Sequence, residues 1–184
     1  HLGYFLLLDK VDAGDGLRIL KRAKELGIKT SIDLVSENSD KYKIVVPCLK
    51  YTDNLIVNEK EASAIAGEEY YRERLPDICR KLKEYGVKER VIVHTPELGA
   101  CLSEDGYTEV PSFVLPAGYI KGSTGAGDAF CAGALCGIAE GMSDKELLTF
   151  SAAVAATSLS AENASDGIKS RIDTVEFMKI LKTR

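Results

Sequence analysis

Two hydrophobic periods alternate along this chain. Phe5-Leu6-Leu7-Leu8, Ile28 to Asp33, Asn54 to Val57 and Arg90 to His94 are short apolar runs that predict strands. Between them the apolar spacing turns helical. Leu17, Ile19, Leu20, Ala23 and Leu26 form one stripe, opened at Gly14 and stopped by Gly27. A helical stretch around Ile44 to Leu49 is broken or started near Pro47. Glu59 to Ala66 closes at Gly67, and Pro76 to Tyr85 closes at Gly86. Ala100 to Leu102 and Tyr107 to Val110 flank Ser103-Glu104-Asp105-Gly106, whose Asp-Gly pair predicts a hairpin turn. After a Pro- and Gly-rich loop the remainder reads as helix: Ala126 to Glu140, Ser143 to Ser160, and Thr174 to Leu181. Ser143 and Glu146 have capping-box spacing.

Strand–helix alternation argues for an α/β fold, a three-layer sandwich with a mostly parallel sheet and helices on both faces. A length of 184 residues fits one domain, or a large piece of one. Ligands of such sheets sit beyond the carboxyl ends of the strands. Asp9, Asp33, Asn58 and His94 fall at those expected ends, where each also reads as a turn or cap residue.

Composition narrows the classes. The 24 basic and 28 acidic residues give a net charge of −4, so no basic field invites nucleic acid. At 45% hydrophobic and 28% charged, the chain is globular rather than disordered. No apolar run approaches the roughly 18 residues of a membrane span. Five cysteines form no C-x-x-C pair, and a reduced, cytoplasmic protein is the plain expectation. Cys131 and Cys136, five apart on one helix, read as core thiols rather than a metal pair.

The chemistry concentrates in Gly122-Ser123-Thr124-Gly125-Ala126-Gly127-Asp128-Ala129-Phe130, which opens a long helix. Glycines let a ligand approach the backbone. The first helical turn offers free amides, and the helix dipole favours an anion. Asp128 places a carboxylate near the same spot, which suits a general base facing a hydroxyl nucleophile. The alternative is a glycine-rich helix start with Asp128 as a cap. The stretch is not a P-loop, because the spacing differs and the Lys is missing. It is not a dinucleotide fingerprint either, because Phe130 stands where Gly or Ala is required.

The Thr124 to Phe130 stretch resembles the signature of the PfkB, or ribokinase-like, carbohydrate kinases. Asn58-Glu59-Lys60-Glu61 is similar to the family's N-x-x-E element. Val91 to Val93 followed by Gly99-Ala100 is similar to its next strand and glycine turn. Ala152 to Ala156, running on to Asn163-Ala164, is similar to its alanine-rich helix and nucleotide loop. The resemblance implies transfer of the ATP γ-phosphoryl group to a hydroxyl of a sugar or related small molecule. It implies Asp128 as the base, with the amides of Gly125, Ala126 and Gly127 as the anion hole. Thr124 joins the nucleotide-binding set. Asn58 and Glu61 would place Mg²⁺, with Glu61 as the metal-side carboxylate. Gly99, Ala156 and Asn163 would border the adenine, with Asn163 in a left-handed conformation.

The departures carry expectations of their own. Gly122 stands where relatives have an acid, which weakens a monovalent-cation site. His94-Thr95-Pro96 stands where they have T-x-G, and His94 is either a replacement phosphate contact or a core-edge histidine. The resemblance begins partway through the family pattern. The chain is therefore expected to be the C-terminal, nucleotide-binding and catalytic part of one ribokinase-like domain, lacking the N-terminal part and lid. Such a piece either belongs to an active kinase or holds nucleotide without turnover. An exposed sheet edge also predicts self-association into homo-oligomers.

Overall fold

The structure, a computed structural model, describes residues 1–36 and 40–184. Six strands form one sheet: β1 (Leu2–Phe5), β2 (Ser31–Leu34), β3 (Asn54–Asn58), β4 (Arg90–His94), β5 (Leu98–Ser103) and β6 (Gly106–Pro111). They lie side by side in chain order. β1 runs parallel to β2, with Leu2 opposite Ile32 and Phe5 opposite Leu34. β2 runs parallel to β3, with Ser31 opposite Asn54 and Ile32 opposite Leu55. Among the described residues the α-helices are α1 (Gly16–Glu25), α2 (Val46–Leu49), α3 (Glu59–Ala66), α4 (Leu75–Glu84), α5 (Ala126–Ala139), α6 (Asp144–Ser158) and α7 (Arg171–Ile180). The expected α/β class with a mostly parallel sheet is the observed one. By internal packing the chain divides into two compact units, residues 1–93 with 101–107, and residues 94–100 with 108–184.

In the first unit, β3 carries Leu55, Ile56 and Val57 in succession, all buried, as a strand covered on both faces requires. Helix α4 buries Leu75, Ile78, Cys79 and Leu82. Burying each such Leu or Ile contributes roughly 1.5–3 kcal/mol. Asp53 ties the strand starts together. Its carboxylate takes Lys24 Nζ at 2.6 Å, the Thr30 amide at 2.7 Å and the Thr30 hydroxyl at 3.1 Å. Burial alone would raise this carboxyl, but the Lys24 and Thr30 contacts bring it below its ordinary value.

The second unit is built on close helix contact. A side-chain carbon at Gly133 would lie 2.7 Å from the Ser151 Cα, and one at Gly137 would lie 3.0 Å from Leu147 Cγ. Glycine at both positions lets α5 and α6 approach backbone to backbone. The capping box at Ser143 is built as its spacing foretold: Ser143 Oγ accepts from the Glu146 amide, and Glu146 Oε2 accepts from the Ser143 amide at 3.0 Å.

Several expectations need correcting. The first strand is Leu2–Phe5 rather than Phe5 to Leu8. Leu6 has φ 75°, which ends extended structure, and Leu7 and Leu8 are 57% and 48% exposed. Asp9 therefore stands after a turn rather than on a strand end. Asp33 lies inside β2, where its Oδ1 accepts from the Tyr4 amide at 3.1 Å. In α1, Leu20 is buried while Ile19 stays exposed, so the expected stripe is only partly a core face. Helix α7 starts at Arg171, three residues early, because Ser170 caps it through the Asp173 amide. A two-stranded antiparallel sheet of β7 (Phe113–Val114) and β8 (Lys182–Thr183) was not foreseen.

Candidate functional site

The glycine-led start of α5 lies in the second unit. Gly125 is its N-cap in the left-handed region, at φ 79°, where an L side chain is strained. Space forbids one too: a side-chain carbon at Gly125 would lie 2.4 Å from the Ala164 Cβ. At Gly122 it would lie 2.8 Å from the Glu162 carbonyl oxygen. The Lys121 amide donates to the Leu159 carbonyl at 2.8 Å. The segment entering α5 is thus pressed against the loop that follows α6.

No side chain caps α5. The Ala126 amide turns back to the Ser123 carbonyl at 3.2 Å, and the Ala129 amide reaches the Gly125 carbonyl at 2.8 Å. For the amides between them a helix supplies no carbonyl partner. That mouth carries the positive end of the helix dipole, and Asp128 in the first turn is exposed beside it. Thr124 is exposed as well.

Other expected residues are placed differently. Gly99 is buried, and a side-chain carbon there would meet Phe130 at 3.1 Å and Leu148 at 3.3 Å, so its missing side chain serves packing. Ala156 is 5% exposed on α6. Asn163 is not left-handed; among the described residues only Tyr4 and Leu6 are non-glycines at positive φ. Its Oδ1 instead accepts from the Ser165 and Asp166 amides at 3.2 and 2.8 Å, a local turn that needs no unusual φ.

The start of α3, in the first unit, is the opposite kind of helix end. Asn58 Oδ1 accepts from the Lys60 and Glu61 amides at 3.0 and 2.9 Å. Glu61 Oε2 accepts from the Asn58 amide at 3.0 Å, closing a capping box. Ser36, which sequence reasoning did not single out, completes the cluster. Its hydroxyl donates to Glu61 Oε1 at 2.7 Å, and Asn58 Nδ2 donates to Ser36 Oγ at 2.8 Å. No local spacing could have announced Ser36, because it reaches α3 from the segment after β2. Glu61 is 4% exposed. Burial pushes its carboxyl above the ordinary range despite the Asn58 and Ser36 hydrogen bonds, and the charges of Asp33 and Glu59 push the same way. A buried carboxylate among acids and hydroxyl and amide oxygens is a donor set suited to a hard divalent cation.

Comparison with known proteins gives the class first: this is a ribokinase-like α/β fold. A solved structure of Arabidopsis thaliana ribokinase complexed with ribose and ATP matches at TM-score 0.76 and 24% identity, covering 94% of this chain and 53% of that one. Aminoimidazole riboside kinase from Salmonella enterica, complexed with aminoimidazole riboside and an ATP analogue, matches at TM-score 0.69 and 18% identity, covering 88% and 56%. In sequence, a ribokinase of Arabidopsis thaliana is 29% identical over 184 residues, which is 99% of this chain and 46% of that protein. The chain belongs to the pfkB family of carbohydrate kinases, whose family profile matches residues 3–171. It spans about half the length of the relatives it matches. Among the described residues no helix is long and apolar enough to cross a membrane.

Proposed function

We propose that residues 1–184 form the nucleotide-binding and catalytic part of an ATP-dependent kinase acting on a sugar or related small molecule. The observation that carries this reading is the family match over residues 3–171, with the Thr124–Phe130 signature folded into an uncapped, glycine-led helix mouth. In the reaction, the acceptor hydroxyl oxygen forms a bond to the γ-phosphorus. The bond from that phosphorus to the β,γ-bridging oxygen breaks, and ADP leaves. The hydroxyl proton passes to the Asp128 carboxylate. The amides of Gly125, Ala126 and Gly127 take up the negative charge of the phosphoryl oxygens; such preorganised donors are worth ~10²–10³-fold each. Thr124 lies at the same mouth, and Gly99, Ala156 and Asn163 are assigned to the adenine side.

Mg²⁺ is the implied metal, and Glu61 with Asn58 would hold it, through waters where contact is indirect. Bound there, it would neutralise phosphate charge. A cation beside Glu61 would offset the cost of its buried charge. Glu61 is buried, its carboxyl is pushed up, and among the described residues no basic side chain pairs with it.

The second reading is a domain that binds nucleotide without turning over. ADP release measured with ATP, Mg²⁺ and a panel of ribose, other sugars and nucleosides separates the two. Transfer to one acceptor class supports the kinase. Nucleotide binding with no transfer to any supports the second reading, and absence of both overturns the assignment.

A further inference from the structure

We propose that Ser36 is a positioning residue for the metal side of the site, its hydroxyl holding Glu61 and Asn58 in the orientation that receives a hydrated divalent cation. This rests on the kinase reading above and deepens it. The hydrogen bonds that join the three residues determine one another's direction. Asn58 Oδ1 accepts from the Lys60 and Glu61 amides at 3.0 and 2.9 Å, which turns Nδ2 the other way. Nδ2 donates to Ser36 Oγ at 2.8 Å. A carboxylate only accepts, so the Ser36 proton goes to Glu61 Oε1 at 2.7 Å. The Asn58 amide donates to Glu61 Oε2 at 3.0 Å. Each carboxylate oxygen thus takes a bond from the protein, and the plane of the carboxylate is held from both ends.

Helix capping does not require Ser36. The box at the start of α6 has the same reciprocal form, yet the Ser143 hydroxyl and the Ser143 amide both donate to one oxygen, Glu146 Oε2, at 2.6 and 3.0 Å. That box engages a single carboxylate oxygen through two residues. The α3 box engages both oxygens, and the additional bond comes from Ser36, outside the helix. Ser36 is exposed, Asn58 is half-buried and Glu61 is 4% exposed, so the cluster grades inward from the hydroxyl to the carboxylate. Having given its proton to Glu61 and accepted one from Asn58, Ser36 Oγ keeps one lone pair. Magnesium retains several of its waters when bound, and such waters donate to oxygens of this kind. Partners that hold a metal-binding carboxylate in place typically weigh ~10–100-fold in metal affinity.

The test is calorimetric titration of the whole chain with ATP over a series of Mg²⁺ concentrations and in EDTA. It compares the natural protein with Ser36→Ala, with Ser36→Thr, which keeps the hydroxyl, and with Ser143→Ala as a capping control. Ser36→Ala should raise the Mg²⁺ concentration that gives half the gain in ATP affinity by about ten-fold, with ATP affinity in EDTA unchanged. Ser36→Thr should restore the natural requirement, and Ser143→Ala should lower thermal stability without moving it. Where circular dichroism shows Ser36→Ala unfolded, Ser36→Gly is judged by the same ten-fold criterion. A Mg²⁺ requirement that does not move, a loss of ATP affinity that is equal with and without Mg²⁺, or a Thr variant that behaves as the Ala variant overturns the role of Ser36 and leaves the kinase reading standing. If the natural protein takes up no ATP at any Mg²⁺ concentration, the kinase reading fails and the Ser36 assignment goes with it.

Discussion

Helices α3 and α5 begin in opposite ways. The first turn of α3 is closed on itself: Asn58 takes two amides and Glu61 returns to the Asn58 amide. The first turn of α5 has a glycine in place of a capping side chain. One end stabilises its helix with a side-chain box; the other has no side-chain cap. Helix α6 supplies the control, because it carries the same box as α3. Its Glu146 is exposed, and the Ser143 side-chain and backbone hydrogen bonds hold its carboxyl below the ordinary range. Glu61 makes the equivalent bond, yet burial drives it the other way. The box at α6 is purely local architecture. The box at α3 holds a buried carboxyl raised above its ordinary range, and the box at α6 an exposed one held below it.

The largest expected effect breaks the comparison at α5. Asp128→Asn should lower phosphoryl transfer by ~10²–10⁴-fold while ATP affinity holds, since a carboxylate does not attract a phosphate; paired rate and calorimetric measurements check this. Next is Gly125→Ala. Positive φ and the collision with Ala164 together should cost about 3 kcal/mol in denaturant unfolding. Gly67→Ala, at the open end of α3 with φ 67° and nothing nearby, should cost only about 1 kcal/mol. Comparable in size, Asn58→Ala and Ser143→Ala should each lose about 1 kcal/mol as ordinary cap deletions. Only the first should also weaken the effect of Mg²⁺ on nucleotide binding.

The smallest effect is a slope. The folded-state carboxyl of Glu61 sits above its unfolded value, so the folded protein holds that proton more tightly. The stability contributed there declines as pH rises from the ordinary carboxyl range through the raised value. For Glu146 the sign reverses, and its contribution is lost as pH falls below that range. Glu61→Gln should flatten the decline on the alkaline side, and Glu146→Gln should flatten only the acid side. Unfolding midpoints from pH 4 to pH 8, roughly spanning the carboxyl range, would read both.

Much of this architecture was legible because its signals are local. Asn58 to Gly67 was read to the residue, since a cap, a box and a closing glycine all lie within one short helix. The Ser143 box and the Gly125 mouth were equally plain. The failures are places where distant chain decides. Phe5 to Leu8 is as apolar as any strand, but the pairing of β1 with β2 stops at Phe5 and the backbone turns at Leu6. The β7–β8 pair joins two-residue strands from distant parts of the chain, too short for any periodicity. At the site, the signature residues could be named from their resemblance to the family's pattern. That Ser36 would bond Glu61, or that His94 would lie against Gly127, depends on tertiary packing that no window of sequence contains.

The central claim is that the α5 mouth, rather than the α3 cap, receives the phosphates. Backbone amide shifts followed by NMR during an ATP titration test it most directly. The account predicts the largest movements at Gly125, Ala126 and Gly127, with small ones at Lys60 and Glu61, whose amides are already bonded to Asn58. Unmoved amides at Gly125 to Gly127 under saturating ATP would contradict it.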